Sequence, residues 1–307
     1  MTPIARVTKS REEDLDEVPG LDPIPRVQII NITIKPGETV TWRAFSDLHL
    51  DENLCDRSFL IQQARRDREQ FGNVRALCFG DITNLVFAVD AKRYAPSVTR
   101  NTLARRDQFV KAAVRSCGAF LEKLNYKWDL ISEGNHEKSA TKHYGADVAG
   151  DLAEHLGCVV GGVSGAVDFR FTIPHGTDGK FSTRARIRFI YTHGNWGGES
   201  AGYMSAKRWA FQYDDWDAMF YGHNHKCFVR PEVRLSIDGN NIREKTVFIV
   251  NCGSAARSYG HDARETHYGE LKCYPREPII SPIIQFTPRH LHGRLKTSFS
   301  ATVERQT

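Results

Sequence analysis

The chain lacks any closely spaced pair of cysteines. Its seven (Cys55, Cys78, Cys117, Cys158, Cys227, Cys252, Cys273) are odd in number and scattered, which argues against a disulfide framework and against a zinc-thiolate site. A reducing, cytoplasm-like compartment fits that usage. Long hydrophobic runs are missing too. None approaches the ~18 to 20 residues that span a bilayer, and the opening MTPIARVTKSREEDLDEV has no apolar stretch of a secretory signal. The expectation is a cytoplasmic protein with no membrane partner. Internal repeats and low-complexity tracts are absent, so solenoid and fibrous architectures drop out. Neither sign of charge dominates: 42 Lys and Arg against 37 Asp and Glu leave +5. That is far from a DNA-coating protein, yet it admits an anionic substrate.

What is present is the composition of a soluble globular protein, 40% hydrophobic and 26% charged over 307 residues, long enough to bury a sizeable core. Residues 1–24, with the acidic run Arg11 to Glu17, read as a flexible extension. Residues 25–307 read as a single domain with a β-rich C-terminal part. VQIINITI and TVTWRAFSD flank Lys35-Pro36-Gly37-Glu38, a turn composition that predicts a hairpin. Then short apolar runs alternate with helical patterns, the signature of an α/β protein. RALCFGD, KWDLISEGN, RIRFIYTHG, DAMFYGHNH and TVFIVNCGS read as strands. Asp56 to Phe71, Asn101 to Leu124, Tyr144 to Leu156 and Ser200 to Gln212 read as helices. Later, FVRPEVRLSIDGNNIREKTVFIV reads as strand, turn and strand, and LHGRLKTSFSATV alternates as an edge strand does.

Five short motifs close the predicted strands: Asp47-Leu48-His49, Gly80-Asp81-Ile82-Thr83-Asn84, Gly134-Asn135-His136-Glu137, His193-Gly194 and Gly222-His223-Asn224-His225. Ligands of α/β sheets gather beyond the carboxyl ends of strands, so groups distant in sequence can converge there. Each motif alone has a plain alternative: a helix cap, a turn, a hydrogen-bonded histidine. The fifth motif is the most specific, because with 24 Gly and 12 His in 307 residues a Gly-His-x-His run arises by chance about 0.04 times.

In this order the motifs resemble the calcineurin-like metallophosphoesterase superfamily, over Asp47 to His225. A weaker likeness from Asn251-Cys252-Gly253-Ser254 through Tyr268-Gly269-Glu270 to Tyr274-Pro275 is similar to bacteriophage-encoded members, for which the compartment would be the host cytoplasm. The resemblance implies a four-layer αββα sandwich of two mixed sheets flanked by helices. It implies that Asp47, His49 and His225 hold one metal ion, that Asn135, His193 and His223 hold a second, and that Asp81 bridges them. The donors themselves, imidazole and oxygen with no thiolate cluster, suit two divalent transition-metal ions, Mn²⁺ first and Fe, Zn, Co or Ni as alternatives, better than Mg or Ca.

The resemblance further implies hydrolysis of a phosphate ester by a metal-activated water, with His136 protonating the leaving oxygen and Asn84 orienting His136. Where relatives of the protein phosphatases carry Asp then Arg, this chain has Asn84-Leu85, which argues against a phosphoprotein phosphatase and leaves phosphodiester or small phosphomonoester cleavage open; the slight positive charge and the phage-like region tilt the expectation to a phosphodiesterase or nuclease. Lys142, His143, Arg208 and Arg257 are candidate replacements for the missing phosphate clamp. A phosphomonoesterase, or a non-catalytic metal-stabilised interaction protein, is the alternative. His261 and His267 stay outside the ligand set.

Overall fold

The structure, a computed structural model, describes residues 24–85, 109–175, 181–257, 259, 278–291 and 294–303. The sequence readings for residues 1–23, for 101–108, for His261 and His267, and for Tyr268 to Pro275 lie outside the described residues. In chain order the elements are β1 (Val27–Thr33), β2 (Val40–Phe45), α1 (Arg57–Phe71), β3 (Val74–Phe79), α2 (Phe109–Lys123), β4 (Lys127–Ser132), α3 (Asn135–Tyr144), α4 (Val148–Leu156) and β5 (Val159–Gly161). They continue with β6 (Ser164–His175), β7 (Phe181–Thr192), α5 (Glu199–Ala210), β8 (Ala218–Tyr221), β9 (Cys227–Asp238), β10 (Asn241–Cys252), β11 (Ile283–Leu291) and β12 (Arg294–Thr302).

Twelve strands form two six-stranded mixed sheets, ordered β1-β6-β7-β8-β10-β9 and β12-β11-β2-β3-β4-β5. Between them lies an aromatic core: Trp42 packs on Phe169 with ring centroids 4.9 Å apart, and Phe79 stacks on Phe220 at 4.7 Å. Burial of these large rings away from water is the main force that holds sheet on sheet. The far side of the second sheet is covered by α1, α2 and α4, through Leu60, Ala64, Cys117, Leu121 and Leu152 against Phe45, Ala76 and Ile131. The far side of the first is covered by α5, through Ala206 and Ala210 against Met219, Tyr221 and Ile249. The architecture is therefore helix, sheet, sheet, helix, the four layers that the resemblance implied. No helix among the described residues is long and apolar enough to cross a membrane.

Two readings are corrected. The hairpin predicted for β1 and β2 does not exist: β1 runs parallel to β6 in one sheet, while β2 lies between β11 and β3 in the other. The turn itself forms, with Glu38 N–H donating to the Lys35 carbonyl at 3.1 Å, but it passes the chain from sheet to sheet. Every residue of β2 is buried whereas β1 alternates toward solvent; a strand buried on both faces belongs in a sheet centre, and one that alternates suits an edge. The helix predicted from Tyr144 instead begins at Val148, because Gly145 adopts a left-handed conformation that ends α3 and Asp147 caps α4 by accepting from Gly150 N–H. The reading missed α3, whose first residue, Asn135, belongs to a motif. By contrast, β9 and β10 form the expected hairpin across Gly239-Asn240, and β12 lies at a sheet edge.

Candidate metal centre

Five loops meet at one end of the sandwich. After β2 and β3 the chain runs on as two adjacent segments, Asp47 N–H donating to Gly80 O at 3.0 Å and His49 N–H to Asp81 O at 3.1 Å. Seven non-glycine residues have positive φ among the described residues, and five of them are Asp47, His49, Asp81, His223 and His225. At about 1 kcal/mol or more each, on the order of 5 kcal/mol of backbone strain is concentrated in this one place. Close approach sets the glycines: a Cβ on Gly222 would collide with Ser46 Oγ and Asp47 Oδ2, and one on Gly134 with Asp81 Oδ1.

The side chains converge in two groups. In the first, Asp47 Oδ1 lies 3.4 Å from His225 Nε2 and 4.0 Å from His49 Nε2, and the two imidazole nitrogens are 3.3 Å apart. In the second, His193 Nε2 lies 2.9 Å from Asp81 Oδ2 and 3.1 Å from Asn135 Oδ1, which is itself 2.8 Å from His223 Nδ1. Asp81 stands between them, its ligand oxygen within 4.8 Å both of the His193 and His223 donors and of the His49 and His136 donors. All seven expected ligands thus come together, with His136 at their margin. The partly exposed side chains of His225 (39%) and His136 (13%) mark the side nearest solvent.

The surrounding bonds fix which lone pairs face inward. Asp47 Oδ2 accepts from Ser46 Oγ at 2.6 Å and from His223 N–H at 2.9 Å, whereas the buried Oδ1 has no hydrogen-bond partner. The Phe79 carbonyl, 2.9 Å from His193 Nδ1, accepts from that nitrogen and so aims Nε2 at Asp81 and Asn135. Asn135 Oδ1 faces only acceptors; turned over, its amide nitrogen would donate to Asp81, His193 and His223. Either that flip or a cation reconciles the contacts. Two ligands of one transition-metal ion at about 2.0 to 2.2 Å lie about 2.8 to 3.6 Å apart, the range of most of these spacings. An orphaned carboxylate oxygen among inward-facing nitrogens fits metal ions.

Electrostatics agree. Burial opposes the charge of Asp47, but His193 and His225 outweigh it and hold its carboxyl at about 2. Burial is likewise overcome at Asp81, where His193 and His136 drive the carboxyl well below its usual range. His193, despite burial, is pushed up to about 10 by Asp81 and Asp47. His49 falls to about 4 through burial and the neighbouring His136 and His225. Two permanent carboxylates facing four imidazoles of divergent proton affinity is a site made to hold positive charge.

Asn84 reaches His136 differently from the sequence reading. The contact is its main-chain carbonyl, 2.5 Å from His136 Nδ1, so the orienting group does not depend on the amide side chain. Two residues had no assigned role. Glu137, wholly buried, accepts from Asp81 N–H and Gly134 N–H at 2.9 Å and from the Thr83 N–H and hydroxyl at 3.0 Å, locking the second loop to the third. Asp51, buried, accepts from the Asn84 and Leu85 N–H groups and so sets the carbonyl that meets His136. Glu137 could have been noticed as the end of its motif; Asp51 carries no sequence signal. Of the four clamp candidates, Arg257 is engaged with Asp56 at 3.1 Å. Lys142 and His143 lie about 10 Å along α3 from Asn135, and Arg208 about 13 Å along α5 from its first residue, at a rise of about 1.5 Å per residue.

No family model and no curated protein matches the sequence. Among solved structures, Vacuolar Protein Sorting 29 from Cryptosporidium parvum is 12% identical with a TM-score of 0.29, covering 87% of this chain and all of the other. A Vps29 double mutant from Entamoeba histolytica is 12% identical with a TM-score of 0.31, over 86% of this chain and 99% of that one. At these scores neither likeness bears on what this chain does.

Proposed function

We propose that the chain is a hydrolase of phosphate esters that works with two divalent metal ions, with phosphodiesters, nucleic acid among them, as the substrate class and Mn²⁺ as the first candidate ion. The observation that carries this reading is the convergence of the carboxylate and imidazole groups of Asp47, His49, Asp81, His193, His223 and His225 on one place, with the buried Asp47 Oδ1 there lacking a hydrogen-bond partner. Asp47, His49 and His225 would hold one ion, Asn135, His193 and His223 the other, and Asp81 would be shared. Bound there, the pair would make a water acidic enough to attack phosphorus near neutral pH and offset charge on the phosphoryl oxygens.

The chain's own groups do the rest. His136 stands on the solvent side, its Nδ1 proton committed to the Asn84 carbonyl, so that Nε2 is the atom free to give a proton to the departing oxygen. Nε2 lies 3.9 Å from Asp81 Oδ2, which places it beside the proposed shared ligand. A carbonyl supports an imidazolium less than a carboxylate would, which suits leaving groups that need only modest assistance. With no arginine among the groups described at the site, the ions and His136 carry phosphate binding.

The test combines metal analysis with hydrolysis of bis-p-nitrophenyl phosphate, p-nitrophenyl phosphate, single-stranded and duplex DNA, and RNA. About two equivalents of metal, diester turnover, and its loss in both Asp81→Asn and His136→Ala are expected. Two bound ions with no turnover of any substrate would favour a metal-stabilised interaction protein; monoester preference would move the substrate class only.

A further inference from the structure

Two thiols stand opposite each other where the β9–β10 hairpin meets the metal centre. Cys227, the first residue of β9, is paired with Cys252, the last of β10, and both are thiols in the structure. Far apart in sequence and part of no cysteine motif, they are brought together only by the register of the ladder. Gly253 N–H donates to the Lys226 carbonyl at 3.0 Å, which makes them a non-hydrogen-bonded pair. That is the closer of the two kinds of antiparallel pair, with Cα atoms about 4.5 Å apart. A cystine takes a Cα separation of about 4.4 to 6.8 Å, so the ladder already sets the backbone distance that a disulfide requires.

The side chains share a face as well. Residues directly opposite on neighbouring strands project to the same side of a sheet, and here it is the inter-sheet side, where Cys252 is packed with Val250 and with Val229, two residues beyond Cys227 on β9. A Cβ on Gly253 would lie 3.0 Å from Cys227 Cβ and 3.5 Å from its Sγ, which places that sulfur against the residue next to Cys252. Burial pushes the Cys252 thiol well above its ordinary value, and the neighbouring Cys227 adds to the shift.

Their exposure differs in a useful way. Cys252 is 1% exposed, whereas Cys227 is partly open to solvent. Cys78 also lies near Cys252, but it is wholly buried and its Sγ is turned to the Gly80 carbonyl at 4.0 Å. An oxidant arriving from water therefore meets Cys227 first, with Cys252 directly behind it. An accessible thiol backed by a second, resolving thiol is the arrangement of a redox-sensing pair.

We infer that Cys227 and Cys252 form a reversible disulfide on exposure to a peroxide. Cys227 Sγ attacks one peroxide oxygen, the O–O bond breaks, and a first water leaves as Cys227 becomes the sulfenic acid. Cys252 Sγ then attacks that sulfur, the S–O bond breaks, and the second water departs with the Cys252 proton. Two thiols lose two electrons in all, and hydrogen peroxide is reduced to two waters. The bridge fastens together the two segments that border the metal centre. One carries His225, two residues before Cys227; the other carries Ser254, whose hydroxyl donates to the Asp47 carbonyl at 2.7 Å. Transient disulfides of this kind are the sort that a reducing compartment permits.

The test is thiol counting and intact mass spectrometry of the full chain, briefly treated with hydrogen peroxide in the presence of a chelator, then digested and mapped. The wild-type chain is expected to lose two of its seven thiols and the mass of two hydrogens, with the linked peptides carrying Cys227 and Cys252. Dithiothreitol should restore both thiols. Cys227→Ser should lose no thiol under the same treatment, and Cys252→Ser should stop at a Cys227 sulfenic acid that dimedone traps. A chain that keeps all its thiols, a Cys227 that runs on to the sulfinic acid, or a bridge that maps to another pair such as Cys78 and Cys252 overturns the inference. Neither sulfur is a proposed metal ligand, so none of these outcomes alters the reading of the metal centre.

Discussion

Replacing Glu137 by glutamine tests whether one buried carboxylate really locks two ligand loops together. Its two oxygens accept four bonds, Oε2 from Asp81 N–H and Gly134 N–H, Oε1 from Thr83 N–H and the Thr83 hydroxyl. Glutamine has one oxygen and one NH₂ group. With the NH₂ turned toward Asp81 and Gly134, two buried N–H groups would face a donor. With it turned toward Thr83, the hydroxyl can rotate to accept from it, and only the Thr83 N–H is stranded. The second orientation wins, and one stranded buried N–H costs about 1 to 3 kcal/mol. Alanine removes all four acceptor contacts and leaves a void, so a loss above about 5 kcal/mol is expected, a large share of the total stability of a typical protein. Urea denaturation of Glu137→Gln should therefore give about 2 kcal/mol of destabilisation, with weaker metal retention on dialysis because Asp81 and Asn135 lie on the loops released. A glutamine variant within about 0.5 kcal/mol of wild type that retains its metal fully would refute the clamp.

Asp47→Asn leaves an oxygen for Ser46 and His223 but turns an amide NH₂ toward His225 and His49; metal content measured by mass spectrometry should drop from about two equivalents to about one. In the chain stripped by a chelator, His193 is raised from 6.5 to about 10, so the stability it contributes is complete below pH 6.5 and is lost as pH rises toward 10. His49 is lowered to about 4, so its contribution is complete above pH 6.5 and is lost as pH falls toward 4. Denaturation midpoints of the stripped chain should therefore peak near pH 6.5, and His193→Gln should flatten the alkaline limb. Asp67→Ala strands Arg43, which is 2% exposed, and removes the acceptor of the Tyr126 hydroxyl; a loss of about 3 to 5 kcal/mol is expected on urea denaturation, with metal content unaffected.

The site was legible in the sequence because its chemistry interrupts local pattern. Asp47, Asp81, Asn135, His193 and His223 each follow an apolar run that ends abruptly in glycine, histidine or a carboxylate, and a strand of mostly buried residues has no other use for such groups at its end. Most of the strands that carry the motifs were legible for the same reason, their apolar runs being short and bounded. The partner of β1 was not. Its neighbour, β6, lies more than a hundred residues away, and pairing across such a distance leaves no trace in local composition. Nor was the start of α3, since Asn135-His136-Glu137 reads as a loop until Glu137 is seen bonding back to Gly134.

By itself the sequence determined which atoms could bind metal and that they sit at strand ends, because side-chain chemistry and hydrophobic periodicity are properties of the chain. Only the tertiary structure decided that Asn84 acts through its carbonyl and that Glu137 and Asp51 tie the loops together. It alone decided that five of the proposed ligand residues bear left-handed backbone, and that the apolar flank of β9 is exposed among the described residues. Those outcomes depend on where main-chain donors and acceptors from distant segments end up facing one another. That is set when two sheets close on a shared aromatic core, and no local stretch of residues encodes it.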